Sequence, residues 1–357
     1  EPKRLFGVYT AQVTDLAEED LLDRHLRVLD VGAGVGGPAL GLADYLPDDA
    51  LLDYHAVEPG PGADLLSALL GVTGPNVHST VHRETAEAFD PGTVLDSSVE
   101  DDTADTGDDA GDGTGFDLLL FANVLSELDD PVAVVERYAE HLASDGSLVL
   151  LAPADLETST GLRRVERAVV DGRADGGRAN DGLTVYGPTV RLWPGYEPAD
   201  RGWSFDVRPD LSVPGFQRRL DEAAGGTGEF VNVDVQYSHA VLRRDGARRI
   251  DVSLDPGRFA RFADAEAHVT RRVDCAAIKL SHDLADGGHP LFKVGDGSER
   301  VDHYAVLTNE TTLNRDLSTA AYGDLLVFES VLVLWNDDEG AYNLVVDAET
   351  VVDRVAP

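Results

Sequence analysis

A parallel β-sheet with helices on both faces is predicted for the first 155 residues. Apolar strand-like segments alternate there with helical segments, beginning with "RVLDVG" and "PALGLADYL" and ending with "PVAVVERYAEHL" and "SLVLLAPA". Such alternation is typical of α/β proteins. A glycine-rich turn joins the first strand to its helix, and Pro38 lies in the first turn of that helix, where its missing N–H is not needed. A leading helix is expected over residues 5–25.

Two further regions follow, so the predicted domains are 1–155, 156–250 and 251–357. The middle region is an α+β extension, with the amphipathic helix "TGLRRVERAVV", an aromatic and proline-rich loop and the strand "FVNVDVQYSHAVLRR". The last region has five strand-like segments separated by turns, which predicts a small closed β-barrel resembling oligonucleotide-binding (OB) folds. Residues 90–115 hold nine acidic and no basic residues, and we expect them to be a solvated insertion.

The chain is strongly acidic, with 66 acidic against 29 basic residues and a net charge of −37. Self-repulsion of this size is tolerable in concentrated salt, where the Debye length falls to about 3 Å at 1 M. We therefore expect a cytoplasmic protein of a salt-loving organism. The alternative is an acidic protein that merely avoids nucleic acid. No apolar run approaches the ~18–20 residues of a membrane span, so no membrane partner is expected. Because the chain starts at Glu1 without any methionine, an upstream piece is expected.

The glycine turn fits two classes of ligand. The dinucleotide pattern G-x-G-x-x-G is matched by Gly32, Gly34 and Gly37. The pattern D-x-G-x-G-x-G, suited to S-adenosylmethionine, is matched by Asp30 with Gly32, Gly34 and Gly36. Both patterns let the backbone approach a ligand closely.

The two classes of ligand differ in the charge that they bring to the turn. A carboxylate at the strand end repels the pyrophosphate of a dinucleotide, whereas S-adenosylmethionine brings an ammonium and a cationic sulfur. Asp30 therefore favours S-adenosylmethionine. Glu58 ends the second strand, where a carboxylate is able to accept both ribose hydroxyls.

Residues 27–155 resemble the Rossmann-like core of class I S-adenosylmethionine-dependent methyltransferases. The motif "FDLLLFANVLSEL" follows as the fourth strand and "LASDGSLVLLAPA" as the fifth. The resemblance implies that the segment after the fourth strand lines the methyl-transfer pocket. Asn123, Ser126 and Glu127 are then candidate catalytic residues, with Asn123 also a cofactor contact. The alternative is that Ser126 and Glu127 merely begin the next helix.

A narrower resemblance covers most of residues 27–246. The segments "NVLSEL", "TSTGLRRVERA", "VYGPTVRLWP", "WSF" and "VQYSHAVLRRDG" resemble the methyltransferase-like proteins of the mitochondrial small ribosomal subunit and their prokaryotic relatives. That resemblance implies association with small-subunit ribosomal RNA and with small-subunit assembly. The family usually carries cysteines that bind an iron–sulfur cluster or zinc, and Thr189 and Ser204 stand where two of them are expected. With Cys275 as the single cysteine, we expect no cluster and no metal. Candidates to order the loop by packing instead are Trp193, Tyr196 and Trp203.

RNA contacts are predicted from the uneven charge. Residues 163–272 hold 18 arginines against 17 acidic residues, a balance of +1, while the rest holds 11 basic and 49 acidic residues, a balance of −38. A surface that faces a polyanion resists acidification in this way. The alternative is that the arginines form internal ion pairs. The candidate phosphate contacts are Arg163, Arg164, Arg167, Arg218, Arg219, Arg243 and Arg244. Candidate base-stacking aromatics in the barrel are Tyr304, Tyr322, Phe328 and Trp335.

Three functions remain open from the sequence. The leading hypothesis is a methyltransferase that acts on small-subunit ribosomal RNA or in small-subunit assembly. The second is a non-catalytic assembly factor that retains the cofactor pocket. The third is a small-molecule methyltransferase, for which the barrel and the arginine-rich centre would be superfluous.

Overall fold

The computed structural model describes residues 22, 24–47, 49–99, 115–172, 182–196, 198, 202–208, 215–228, 231 and 234–355, with the backbone alone at 44, 96–99 and 215–217. Most of the leading helix expected over residues 5–25 lies outside these ranges. No helix within the described ranges has both the length and the apolar character needed to cross a bilayer.

Within the described ranges the first sheet has eight strands. They are β1 (His25–Val31), β2 (Leu51–Val57), β3 (Val77–His82), β4 (Phe116–Ala122), β5 (Leu142–Pro153), β6 (Thr184–Gly187), β7 (Asp206–Arg208) and β8 (Val235–Arg243). Their order is β3-β2-β1-β4-β5-β8-β6, and β7 pairs with β8. Strands β1 to β5 are parallel, whereas β8 runs antiparallel to β5 and β6. The predicted Rossmann-like α/β sheet is confirmed.

Apolar residues on both faces of the central strands create two cores. In β4, Leu119 and Phe121 belong to one core cluster, and Leu118 and Leu120 belong to the other. Successive side chains of a strand point to opposite faces, so a continuous apolar run fits a strand covered on both sides. The helices are α1 (Gly37–Tyr45), α2 (Gly62–Leu70), α3 (Gly92–Val99), α4 (Pro131–Ala139), α5 (Leu156–Asp171), α6 (Gly215–Ala224) and α7 (Asp316–Thr319).

The acidic insertion differs from its prediction at its start. We expected solvated chain over 90–115, but residues 92–99 form α3, and Val94 is only 6% exposed within a core cluster. The apolar pair Val94 and Leu95 explains the difference, because it gives this acidic stretch a face to bury. Residues 100–114 lie outside the described ranges.

The second sheet is a closed barrel. Its strands are β9 (Arg272–Lys279), β10 (Leu291–Gly295), β11 (His303–Leu307), β12 (Leu325–Asn336), β13 (Ala341–Val346) and β14 (Val351–Val355). The first five close in the order β9-β10-β11-β13-β12, with β12 pairing back to β9 and β14 added beside β12. The predicted OB-like barrel is confirmed. The last of the five strand segments expected there forms two strands, β13 and β14.

Buried polar contacts join the barrel to the middle region, residues 156–250. Arg163 of α5 donates to the Tyr322 hydroxyl at 3.0 Å, and the indole N–H of Trp193 donates to Asp296 Oδ2 at 2.7 Å. Leu192 and Trp193 also share an apolar cluster with Ile278 of β9. The barrel is therefore packed against the middle region through buried polar and apolar contacts.

Candidate functional site

The glycine turn lies at the carboxyl edge of the first sheet. Val31, the last residue of β1, pairs with Val57 at the end of β2 and with Phe121 near the end of β4. The strand order reverses between β1 and β4, since β2 and β3 extend to one side and β5 to the other. Ligands of open α/β sheets bind in the crevice that forms at such a reversal.

Glycine is required at this turn for two different reasons. Gly32, Gly34 and Gly36 all have positive φ, at +70°, +56° and +87°. A Cβ on Gly32 would lie 2.5 Å from a methyl group of Val124, and one on Gly36 would lie 2.5 Å from Leu66 Cδ1. At Gly34, no heavy atom of the described residues lies within 4 Å of that position. The outer glycines thus permit close packing, and the middle one presents bare backbone to a ligand.

Glu58 holds the turn from the adjacent strand. Its Oε2 accepts the N–H of Gly34 at 2.9 Å, and its Oε1 accepts the N–H of Gly60 at 2.7 Å. Each carboxylate oxygen has a second lone pair, so these bonds leave capacity for ligand hydroxyls. Glu58 therefore orders the backbone as well as lining the site, a role that the sequence motif did not indicate.

Asp30 is completely buried beneath the turn. The Tyr54 hydroxyl donates to its Oδ2, while its Oδ1 has no hydrogen-bond partner in the described part of the chain. Burial raises the pKa of Asp30 to about 7, with the nearby Glu58 charge adding to the rise and the Tyr54 hydrogen bond opposing it. An unpartnered buried carboxylate oxygen favours a cation above it.

Tyr54 was missed by the sequence interpretation. It lies in β2 next to β1, pairs in register with Val28, and is fully buried. The available signal was a tyrosine in the apolar segment "LDYHAVEP", since a buried phenol needs a polar partner and the neighbouring strand contains Asp30.

Asn123, Ser126 and Glu127 lie at the same edge and are all exposed. Asn123 directly follows β4 with a φ of 60°, and its N–H donates to the carbonyl of Leu151 at 2.9 Å. Ser126 and Glu127 lie in a short 3-10 turn, and helix α4 begins only at Pro131. The two residues therefore belong to a helical turn between β4 and α4 and not to α4 itself. The fold brings the fourth-strand motif beside the glycine turn, where Val124 covers Gly32.

Two predicted RNA contacts are buried in internal ion pairs. Arg163 is 4% exposed and bonds Glu166 Oε2 at 3.0 Å in addition to Tyr322. Arg243 is 2% exposed and bonds Ser147 Oγ at 2.7 Å as well as Asp245. Neither side chain is accessible to a phosphate, so these two predictions are wrong. For these residues, the internal ion-pair alternative is the correct one.

The other five arginines differ in exposure. Arg244 is half-buried and donates to the carbonyls of Leu142 and Ala139, while Arg167 is half-buried beside Glu166. Arg164 of α5 and the neighbours Arg218 and Arg219 of α6 are exposed. For these three exposed arginines, contact with RNA phosphates stays a prediction.

The barrel aromatics also divide. Phe328 is fully buried and Tyr322 is 9% exposed, so neither is able to stack on a base and both predictions are wrong. Tyr304 is half-buried. Trp335 is 40% exposed, and its ring lies 4.8 Å from that of Tyr342, centre to centre. Aromatic side chains facing the interior of a small barrel fill its core, which the strand pattern alone did not resolve.

Polar packing replaces the expected cysteines. Thr189 is buried and donates to the Tyr186 carbonyl at 2.6 Å, and the carbonyl of buried Ser204 accepts the Ser238 hydroxyl at 2.7 Å. Trp193 is buried at the barrel interface, with Tyr196 packed partly beside it. In the part of the chain that the structure describes, no three His, Cys, Asp or Glu side chains gather closely enough to hold a metal ion.

Comparison with known proteins agrees with this architecture. A family described as "Methyltransferase domain" matches residues 3–189, and a family described as "Domain of unknown function (DUF8157) C-terminal domain" matches residues 263–355. A search of curated protein sequences gave no significant match.

Solved structures with a similar fold include three kinds of methyltransferase. The plantazolicin methyltransferase BpumL with SAH is 12% identical over 68% of this chain and 85% of its own, with a TM-score of 0.37. An rRNA methylase from Streptococcus thermophilus is 14% identical over 65% and 94%, with a TM-score of 0.33. CalS10, an amino pentose methyltransferase from Micromonospora echinaspora, is 23% identical over 40% and 50%, with a TM-score of 0.26. Similarity at this level does not identify a substrate.

Proposed function

The chain belongs to the methyltransferase domain family, and we propose that it transfers a methyl group from S-adenosylmethionine to RNA, with small-subunit ribosomal RNA as the target. The observation that carries the RNA assignment is the OB-like barrel, which packs against the methyltransferase part of the chain. Barrels of this topology commonly bind single-stranded nucleic acid. The sequence resemblance to small-subunit methyltransferase-like proteins supports the ribosomal target.

The residues around the turn fit S-adenosylmethionine. Gly34 offers bare backbone, Glu58 keeps lone pairs for the ribose hydroxyls, and the buried Asp30 carboxylate lacks a partner on Oδ1. A dinucleotide pyrophosphate would meet two carboxylates at this edge instead. When bound, S-adenosylmethionine supplies an activated methyl group next to a positive sulfur. The chain's own contribution is positioning, because orientation and proximity lower the barrier to such a transfer.

Asn123, Ser126 and Glu127 line the acceptor side in this proposal. They lie exposed at the end of β4, one strand from the glycine turn. The Asn123 side chain would orient the acceptor by hydrogen bonding, and Glu127 would take up the proton that the acceptor loses. The buried Cys275 is remote from this edge, in β9, so a cysteine-dependent transfer to carbon is not proposed.

The test is methyl transfer to precursor small ribosomal subunits in concentrated potassium chloride. Protein, tritiated S-adenosylmethionine and precursor small subunits are combined, and label is measured in RNA, protein and small molecules separately. Label in small-subunit RNA that is lost in Asn123→Ala and kept in Thr80→Ala, exposed on β3, supports the proposal.

Two other outcomes decide the alternatives. RNA crosslinking in cells without methyl transfer would assign a non-catalytic assembly role. Label confined to small molecules, without crosslinked RNA, would contradict the RNA proposal.

A further inference from the structure

A cavity of about 650 Å³ lies where the first sheet meets the barrel. One wall is β7, which holds Asp206 and Arg208, and the other is the end of β9 and the loop after it, with Lys279 and His282. This volume lies in the range of about 300–1,000 Å³ typical of ligand sites. Because both domains form it, the cavity exists only while the barrel is docked.

Cationic side chains concentrate at this cavity in a chain of net charge −37. Arg208, Arg249 and Lys279 line it together with His282. The ammonium of Lys279 donates to the carbonyls of Leu317 at 2.9 Å and Ala320 at 2.7 Å. Lys279 therefore contributes positive charge to the cavity, while hydrogen bonds to a ligand would come from the neighbouring side chains.

The two acidic residues of the lining are engaged with the protein. Asp206 accepts the Tyr237 hydroxyl at 2.9 Å, and Asp283 accepts the N–H of Leu291 at 2.9 Å. Their hydrogen bonds reduce their competition for the cationic groups. The lining therefore favours an anion over a cation.

Two buried polar atoms of the lining have no hydrogen-bond partner among the residues that the structure describes. They are Arg208 Nε and His282 Nδ1. Buried polar atoms are nearly always satisfied, so these two point to a ligand group that enters from outside. That group would be an acceptor for the guanidinium N–H, and also for the imidazole in the tautomer that carries its hydrogen on Nδ1. A phosphate oxygen suits a guanidinium N–H particularly well.

A row of aromatic rings joins the cavity to the carboxyl edge of the sheet. His282 lies 5.3 Å from Phe205, and Phe205 lies 5.6 Å from Trp203, centre to centre. Trp203 is 42% exposed, and its N–H donates at 2.9 Å to the carbonyl of Ala154, just past β5. Trp203 therefore lies near the end of β5, and β5 is two strands from β1 in the sheet.

We infer that this junction is a nucleotide subsite, in which Trp203 stacks an RNA base and the cavity of Arg208 and His282 receives the adjoining phosphate. The inference rests on the proposed function and adds where the RNA strand enters. It places an RNA contact at the junction between the first sheet and the barrel, away from the arginines of α5. A flat exposed ring beside an anion pocket matches the alternating base and phosphate of a single strand.

The test uses hexauridylate as the probe and tryptophan fluorescence as the readout. The protein has three tryptophans, of which Trp193 is buried and Trp203 and Trp335 are exposed. We expect saturable quenching in the wild type, loss of most of it in Trp203→Phe, and retention in the matched control Trp335→Phe. Anisotropy of labelled hexauridylate should show Trp203→Ala and Arg208→Gln each binding about tenfold more weakly. Arg258→Gln, exposed on the barrel, should bind normally.

The contrary results are equally specific. Quenching that is lost in Trp335→Phe and kept in Trp203→Phe would place RNA on the barrel and overturn the inference, while methyl transfer to RNA would still support the proposed function. Normal hexauridylate binding by Arg208→Gln would also overturn it. Calorimetric titration with S-adenosylmethionine verifies that each variant is folded, so that lost binding is not mistaken for lost structure.

Discussion

Replacing Asp30 by asparagine should change how the stability of the protein depends on pH. Burial raises the pKa of Asp30 from its ordinary value of 3.8 to about 7. The protonated carboxyl is therefore favoured in the folded state. Its stabilisation is complete below about pH 4 and is lost as the pH rises through 7.

The magnitude follows from that difference. One pKa unit corresponds to about 1.4 kcal/mol, so ionising the buried carboxyl costs about 4 kcal/mol of unfolding free energy above pH 7. Asparagine cannot ionise and avoids this loss. As the pH rises from about 5 to about 8, the unfolding free energy of Asp30→Asn should increase by about 2 to 3 kcal/mol relative to that of the wild type. Any fixed cost of burying the amide is the same at both pH values and cancels.

The assay is chemical denaturation of both proteins in molar potassium chloride at several pH values. Asp53→Asn is the matched control, because Asp53 lies in the adjacent strand β2. Burial there raises the pKa of Asp53, but the hydrogen bond and charge of His55 and the Arg27 charge outweigh it, so its pKa is lowered. Its stabilisation is lost only as the pH falls below about 4, so the difference between Asp53→Asn and wild type should stay constant from pH 5 to 8. A constant difference between Asp30→Asn and wild type from pH 5 to 8 would refute the reasoning.

Three further outcomes are expected. Glu58→Gln should weaken S-adenosylmethionine binding about tenfold by calorimetry, because the turn loses a charged acceptor; unchanged affinity would exclude Glu58 from the site. Arg163→Gln should lower the unfolding free energy by about 3–5 kcal/mol, since it leaves Glu166 buried with one partner fewer, while exposed Arg164→Gln should stay within about 0.5 kcal/mol. Burial raises the pKa of the Cys275 thiol, so Ellman's reagent should react with it only after unfolding, and rapid labelling of native protein would contradict its buried placement.

The sequence by itself determined the architecture around the glycine turn. The alternation of apolar strands with helices predicted the sheet, and the pattern of Asp30, the glycines and Glu58 predicted the cofactor site, whose residues the fold places at one edge. Such features are local, since the glycine φ values and the period of apolar residues are set within a few neighbours. The OB-like barrel was likewise predictable from the lengths and spacing of its strands.

Only the tertiary structure decided which charged residues are functional candidates. Arg163 and Arg164 are adjacent in the chain, yet the first is buried between α5 and the barrel and the second is exposed. The amino-acid composition does not distinguish the two arginines. The hydrogen-bond partner of Arg163 lies 159 residues away in the chain, and net charge does not reveal such a contact. The cavity between the first sheet and the barrel was not predictable from the sequence for the same reason. Arg208 and His282 lie far apart in sequence, and they line one cavity only because the barrel docks against the sheet.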